Sequence, residues 1–219
     1  MLRLFFEKTG NAVWMSHLDL MRLFQRAFQR AGLSLTHTQG FNPRASVSIA
    51  LPLSVGVEST CELLDFELED PNVDCNEICS RLNATLVPGV RILDVYSNGR
   101  KLKELSYLHC LVSLEYDNGI PADAQRQIED LFCRESLLVL KKSKNGEQEL
   151  DIIPMIQSIE VSCVGDQELQ LNAVVCCQNP SLNPMQLVVA IDKYLPDLKA
   201  NFAKCRRVEI YDSHQTVFR

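Results

Sequence analysis

Two imidazoles, a guanidinium and a carboxamide stand out in the first 44 residues. His17 and His37 can exchange protons near neutral pH. Arg44 offers a planar fork to phosphate, and Asn42 can both donate and accept hydrogen bonds. They lie in "SHLDLMR", Ser16 to Arg22, and in "LTHTQGFNPRASVSIALPLSVG", Leu35 to Gly56. Gly40 permits a left-handed turn or a close approach of a ligand. Pro43 sets an extended entry for Asn42. Together these types suit an anion, phosphate above all. The same glycine, asparagine and proline are also ordinary turn formers.

Arg22, Arg26 and Arg30 follow at intervals of four. On a helix this puts three like charges on one face, which repel by a few tenths of a kcal/mol, about 0.2–0.5 per pair. The stripe is either a solvated face or a track for phosphates. Phe41 is either a platform for a base or an anchor that pins the loop.

The elements that must position these groups are legible in the periodicity. "LRLFFEK", residues 2–8, alternates like a strand. Ser16 reads as an N-cap with Asp19 three residues on, a capping box with Asp in place of Glu. Leu20, Phe24, Ala27, Phe28 and Ala31 form the apolar stripe of a helix that Gly32 ends. A short strand is expected at about 33–37, then extended segments at "ASVSIA" and "TCELLDFELE", a helix over 73–86 and a strand at "VRILDVYS".

That order is β-α-β-β-α-β, ending near residue 98. After a polar linker the order recurs over 105–219, with an extra strand or hairpin around 136–163. In the second half Asn183 reads as an N-cap with Pro184 at the first helical position. The expected fold is α+β, two tandem ferredoxin-like units of about 1–98 and 105–219. In that frame the loop 37–44 joins the second strand to the third. It is therefore expected beside Thr9–His17, over the positive end of the first helix.

Composition narrows the function. The 219 residues carry a net charge of −6. Residues 1–50 hold six basic and two acidic groups, +4, and the remainder holds 16 and 26, −10. Any anion-binding role is thereby expected in the first segment. No apolar run is long enough for a membrane span, and the start has no secretion signal, so the expected location is cytoplasmic and no membrane partner is expected. The nine cysteines include no CxxC and no CxxxCxxC, so no metal or cluster is expected on this chain. They read as reduced thiols. No P-loop, HExxH, nucleophile elbow or paired-carboxylate motif is present.

The motifs "SHLDLMR", "GFNPR" (Gly40 to Arg44) and "LPLSVGVES" (Leu51 to Ser59) closely resemble those of the radical SAM-linked protein family. This is a bacterial family of unassigned activity, free-standing or fused behind radical SAM proteins, and often encoded beside ribonuclease and ribosomal-protein genes. The resemblance is strongest over residues 2–68. "ELDIIPMI", Glu149 to Ile156, is similar to the family's second motif, with Ile153 where a basic residue is expected. The resemblance implies a radical SAM protein as partner. S-adenosylmethionine and the iron–sulfur cluster would then sit on that partner, with no cofactor on this chain. The element order is also similar to that of the duplicated RNA-binding proteins of the CRISPR RAMP group, a likeness of fold only.

Three functions compete. The first is an RNA-binding accessory subunit, taking tRNA or rRNA through Ser16, His17, Arg22, Arg26, Arg30, His37, Gly40, Asn42 and Arg44. The second is a protein–protein scaffold, which suits the acidic remainder. The third is a metal-independent ribonuclease with His17 and His37 as acid and base.

Overall fold

A computed structural model describes residues 1–143 and 146–219. The chain is α+β, with a mainly sheet core and four α-helices among the described residues. Contacts divide it into Met1–Glu104 with Arg219, and Leu105–Phe218.

The first unit runs β1 (Leu2–Lys8), α1 (His17–Arg30), β2 (Val47–Ile49), β3 (Glu58–Phe66), α2 (Cys75–Asn83) and β4 (Val90–Ser97). Its strands pair antiparallel in the order β4-β1-β3-β2. Alternation on β1 points Leu4 and Phe6 into the core. The stripe on α1 meets them: Leu20, Phe24, Ala27 and Phe28 are all buried. The Phe6 and Phe24 rings stand edge to face at 4.8 Å, and Phe28 tilts against Phe66 at 4.9 Å.

Both ends of α1 are capped. The Asp19 N–H donates to Ser16 Oγ at 3.2 Å, and the Ser16 hydroxyl donates to Asp19 Oδ2 at 2.7 Å. Gly32, at φ +65°, turns the chain out of the helix. The Arg81 guanidinium on α2 then donates to the carbonyls of Ala31 and Gly32. A cation on those last carbonyls also opposes the negative end of the helix dipole.

The second unit runs β5 (Leu105–Glu115), α3 (Ala124–Phe132), β6 (Leu138–Ser143), β7 (Gly146–Asp151), β8 (Ile156–Cys163), β9 (Glu168–Cys176), α4 (Met185–Tyr194) and β10 (Phe202–Asp212). Its main sheet has the order β10-β5-β9-β8, antiparallel throughout. The β6–β7 hairpin forms a separate two-stranded sheet. Leu171 and Val175 are buried on β9.

Some local expectations differ from the structure. Residues 33–37 form no strand. They make only the isolated bridges Leu35↔Leu68 and His37↔Ala45. The strand after α1 is the three-residue β2 instead. Thr9–Asn11 is the start of a 3-10 turn, Gly10–Trp14. α2 covers 75–83 rather than 73–86. It ends where Asn83 turns its amide onto the Ile92 backbone, donating to its carbonyl and accepting from its N–H, both at 2.9 Å. At α4 the N-cap position is Pro184, while Asn183 Oδ1 accepts from the Met185 N–H at 3.1 Å. Of the cysteines, four are buried and Cys133 and Cys163 are exposed, and all are free thiols.

Phe24 lies at the centre of the α1–β1 contact with no exposed surface. Phe24→Ala should therefore lower unfolding free energy by about 3–5 kcal/mol in urea titration. A loss below about 1 kcal/mol would mean the ring is not an anchor of this core.

Candidate functional site

The direction of β2 decides where the conspicuous residues go. β1 runs from Leu2 to Lys8, and α1 returns. Leu2 pairs with Phe66, and Val47 also pairs with Phe66, so β2 begins at the Leu2 end of the sheet. The loop 37–44 precedes β2 and lies at the C-terminal end of α1. Ser16 and His17 lie at the other end, beside Lys8. A helix of 14 residues is about 21 Å long. The expected convergence of His17 with His37, Asn42 and Arg44 is therefore absent. The cause is that residues 33–37 are not a strand, which reverses the end at which the loop emerges. The true β2–β3 connection is 50–57, and it carries "LPLSVGV".

At the C-terminal end of α1 there is a cleft of about 730 Å³. Phe28, Leu33 and Leu35 are buried side chains among its lining. Gln25, Gln29, Ser34, His37, Arg44 and Glu69 supply its polar groups. Gln25 and Gln29 are one turn apart on α1, so both amides face the same way. The loop that forms one wall is closed locally. Thr38 N–H donates to the Arg44 carbonyl at 2.8 Å, and Arg44 N–H donates to Thr38 Oγ1 at 3.0 Å. Gly40 has φ +144°, and a Cβ there would meet nothing within 4 Å, so the backbone angle alone requires glycine. Phe41 is fully exposed at the tip, 112% of its reference area, so it is no anchor. Among the described residues, the side chains of Gln25, Gln29, His37, Arg44 and Glu69 make no hydrogen bond or ion pair within the chain.

The arginine stripe does not enter the cleft. Arg22 pairs with Asp19 at 3.4 Å on an exposed face. Arg30 donates to the Thr85 carbonyl at 2.9 Å, beyond the end of α2. Arg26 is exposed. The basic surface is also smaller than the sequence count. Arg3 is 5% exposed and bound to Asp65 at 2.6 Å, and Lys8 is 1% exposed.

Lys8 organises the opposite end. Its Nζ donates to the carbonyls of Val13 at 3.1 Å and Met15 at 3.0 Å. Burial pushes its ammonium below the usual lysine range, and the Glu62 charge partly opposes this. Gly56 N–H donates to the Val13 carbonyl at 2.9 Å, and Glu58 accepts from Gly10 N–H at 3.2 Å. The motif "LPLSVGVES" thus braces the 3-10 turn before α1. Ser16 is engaged in the cap, and His17 is half-buried. Trp14, Leu18 and Val55 are exposed at this end.

In the second unit Asp151 has a structural task. Its Oδ1 accepts from Leu137 N–H at 2.9 Å and Ile153 N–H at 3.2 Å, closing the base of the β6–β7 hairpin. Chiefly through the Leu137 bond, its carboxyl is held below the usual range. The acid of this second motif is thus engaged by backbone donors. Among the described residues no group of three or more His, Cys, Asp or Glu is placed to hold a metal. Among the described residues no helix is long and apolar enough to cross a membrane.

A depressed carboxyl pKa means stability that is present above the unfolded value, about 3.9, and lost as pH falls through the folded one. Asp151→Ala should cost about 1 kcal/mol at pH 7. In thermal melts the gap between wild type and variant should narrow below about pH 4. A gap independent of pH would remove the charge from this account.

Sequence reasoning missed Gln25, Gln29, Ser34 and Glu69. The four-residue spacing of the glutamines was visible beside the arginine stripe, but only the fold brings Glu69 to them.

Of the three solved structures that follow, the first superposes with a TM-score above 0.5. A chain in the crystal structure of a Cbf5-Nop10-Gar1 complex superposes with a TM-score of 0.52 at 10% identity, over 95% of this chain and 48% of that one. A chain of the archaeal box H/ACA sRNP Nop10-Cbf5 complex gives 0.48 at 9% identity, over 94% and 46%. An unknown protein from Galdieria sulphuraria gives 0.26 at 10% identity, over 94% and 97%. This chain spans about half the length of the first two. At 10% identity the likeness to the first concerns the fold alone. No curated protein matches the sequence. The family model described as "Uncharacterized protein conserved in bacteria (DUF2344)" matches residues 1–184, and the chain belongs to that family.

Proposed function

We propose that this chain is a non-catalytic, RNA-binding accessory protein built from two ferredoxin-like units in a duplicated, RAMP-like arrangement. Its partner is a radical SAM enzyme, which carries the S-adenosylmethionine and the iron–sulfur cluster. RNA is met at the C-terminal end of α1, by the loop Gly40–Arg44 and the cleft beneath it.

One observation carries this reading. An apolar-floored cleft is ringed by polar side chains with no partner in the chain, under a loop with a fully exposed phenylalanine. Loops on a rigid scaffold are where binding residues concentrate. Phe41 supplies a stacking face, and the exposed Arg22 and Arg26 can neutralise phosphates along α1. The acidic remainder restricts contact to this small region. The ribonuclease reading loses its chemistry, because His17 and His37 stand at opposite ends of α1 and cannot serve one phosphodiester. A scaffold reading keeps one specific support, the exposed Trp14, Leu18 and Val55 at the other end of α1. Occupation of both ends would make the chain a bridge between RNA and enzyme.

The test is RNA binding by the full chain as salt is raised, with tRNA and rRNA fragments as probes. Affinity should fall steeply with salt, and Arg22→Ala with Arg26→Ala should reduce the slope by about 1–2. Asn42→Ala and Arg44→Ala should each weaken binding about tenfold with melting temperature unchanged, since both side chains are exposed. Flat titrations at low salt would refute RNA binding, and recovery of a radical SAM protein without RNA would select the scaffold.

A further inference from the structure

Resting on the RNA-binding reading, we propose that the cleft at the C-terminal end of α1 takes one unpaired guanine base. The argument is the chemistry of its rim. Arg44 and Glu69 line the same cleft, and among the described residues their side chains make no hydrogen bond or ion pair. If the site held only phosphate, Glu69 would be a liability, because a carboxylate repels an anion. A neutral base with separate donor and acceptor edges meets that objection.

Guanine has that division. Its O6 and N7 are adjacent acceptors, which match the guanidinium fork of Arg44. Its N1–H and N2 amine are adjacent donors, which match the two oxygens of Glu69. Adenine offers no adjacent donor pair, and cytosine and uracil have no N7. Pro43 and Ala45, which line the cleft and keep exposed surface, supply apolar contact for the ring, over a floor closed by the buried Phe28, Leu33 and Leu35. Gln25 and Gln29, able to donate and accept, line the same cleft. A cleft of about 730 Å³ is within the ordinary range for a small ligand. The base must be unpaired, because its Watson–Crick edge faces Glu69.

The test uses the full chain and ten-nucleotide oligouridylates with one central guanosine, adenosine, cytidine or uridine. The guanosine oligomer should bind about tenfold tighter than the other three. Inosine, which lacks the N2 amine, and 7-deazaguanosine, which lacks N7, should each lose most of that preference. Glu69→Gln should become indifferent to the change from guanosine to inosine, and Arg44→Ala to the change to 7-deazaguanosine. Tight but equal binding of all four oligomers would overturn the guanine assignment and leave RNA binding standing. Binding of none of them, nor of the tRNA and rRNA fragments, would overturn both. The modified bases probe the wild-type protein, so the result holds even if a variant fails to fold.

Discussion

The seating of α1 on β1 and β3 is the contact on which the rest of the first unit depends. Phe24 meets Phe6 edge to face, and Phe28 meets Phe66, all four rings buried. Buried aromatic surface of this size dominates a small core. It also sets an axis. Once α1 lies antiparallel to β1, its two ends become two separate chemical environments, about 21 Å apart for 14 residues.

Each end is held by a cation used inside the fold. At the start, Lys8 reaches the carbonyls of the 3-10 turn, and its burial is tolerable because two acceptors and the nearby Glu62 charge replace water. At the finish, Arg81 gathers the last carbonyls of α1 and pairs with Glu77 at 2.9 Å. Those carbonyls would otherwise turn a negative dipole end toward the cleft. One wall of the cleft is thereby a rigid helix terminus. The facing wall is a loop whose closure depends on Thr38 and Arg44 backbone contacts, so its exposed side chains remain available for a ligand.

The charge distribution follows from the same packing. Six basic groups occur in the first 50 residues, but Arg3 and Lys8 are buried and structural. The surface cations left in that segment are three on α1 and Arg44. That is a narrow basic strip on an acidic protein.

By itself the sequence determined the local elements and much of the core. The Ser16 cap, the apolar period of α1 and the alternation of β1 are short-range patterns, and Leu4, Phe6, Leu20, Phe24, Ala27 and Phe28 are buried as they indicate, while Ala31 at the helix end is half-buried. The turn chemistry of Gly40 and Pro43 was legible for the same reason, since backbone angles are set by neighbours in the chain. Which end of α1 receives the loop was not. The apolar alternation at 33–37 imitates a strand, whereas β2 has only three residues, too few for a periodic signal. Strand register is a long-range choice, made by Val47 and Leu2 sharing Phe66 as a partner. That choice separated His17 from His37 and brought Gln25, Gln29, Arg44 and Glu69 around one cleft. Residues 25 and 69 become neighbours only after the sheet has formed, so no spacing in the sequence could announce them.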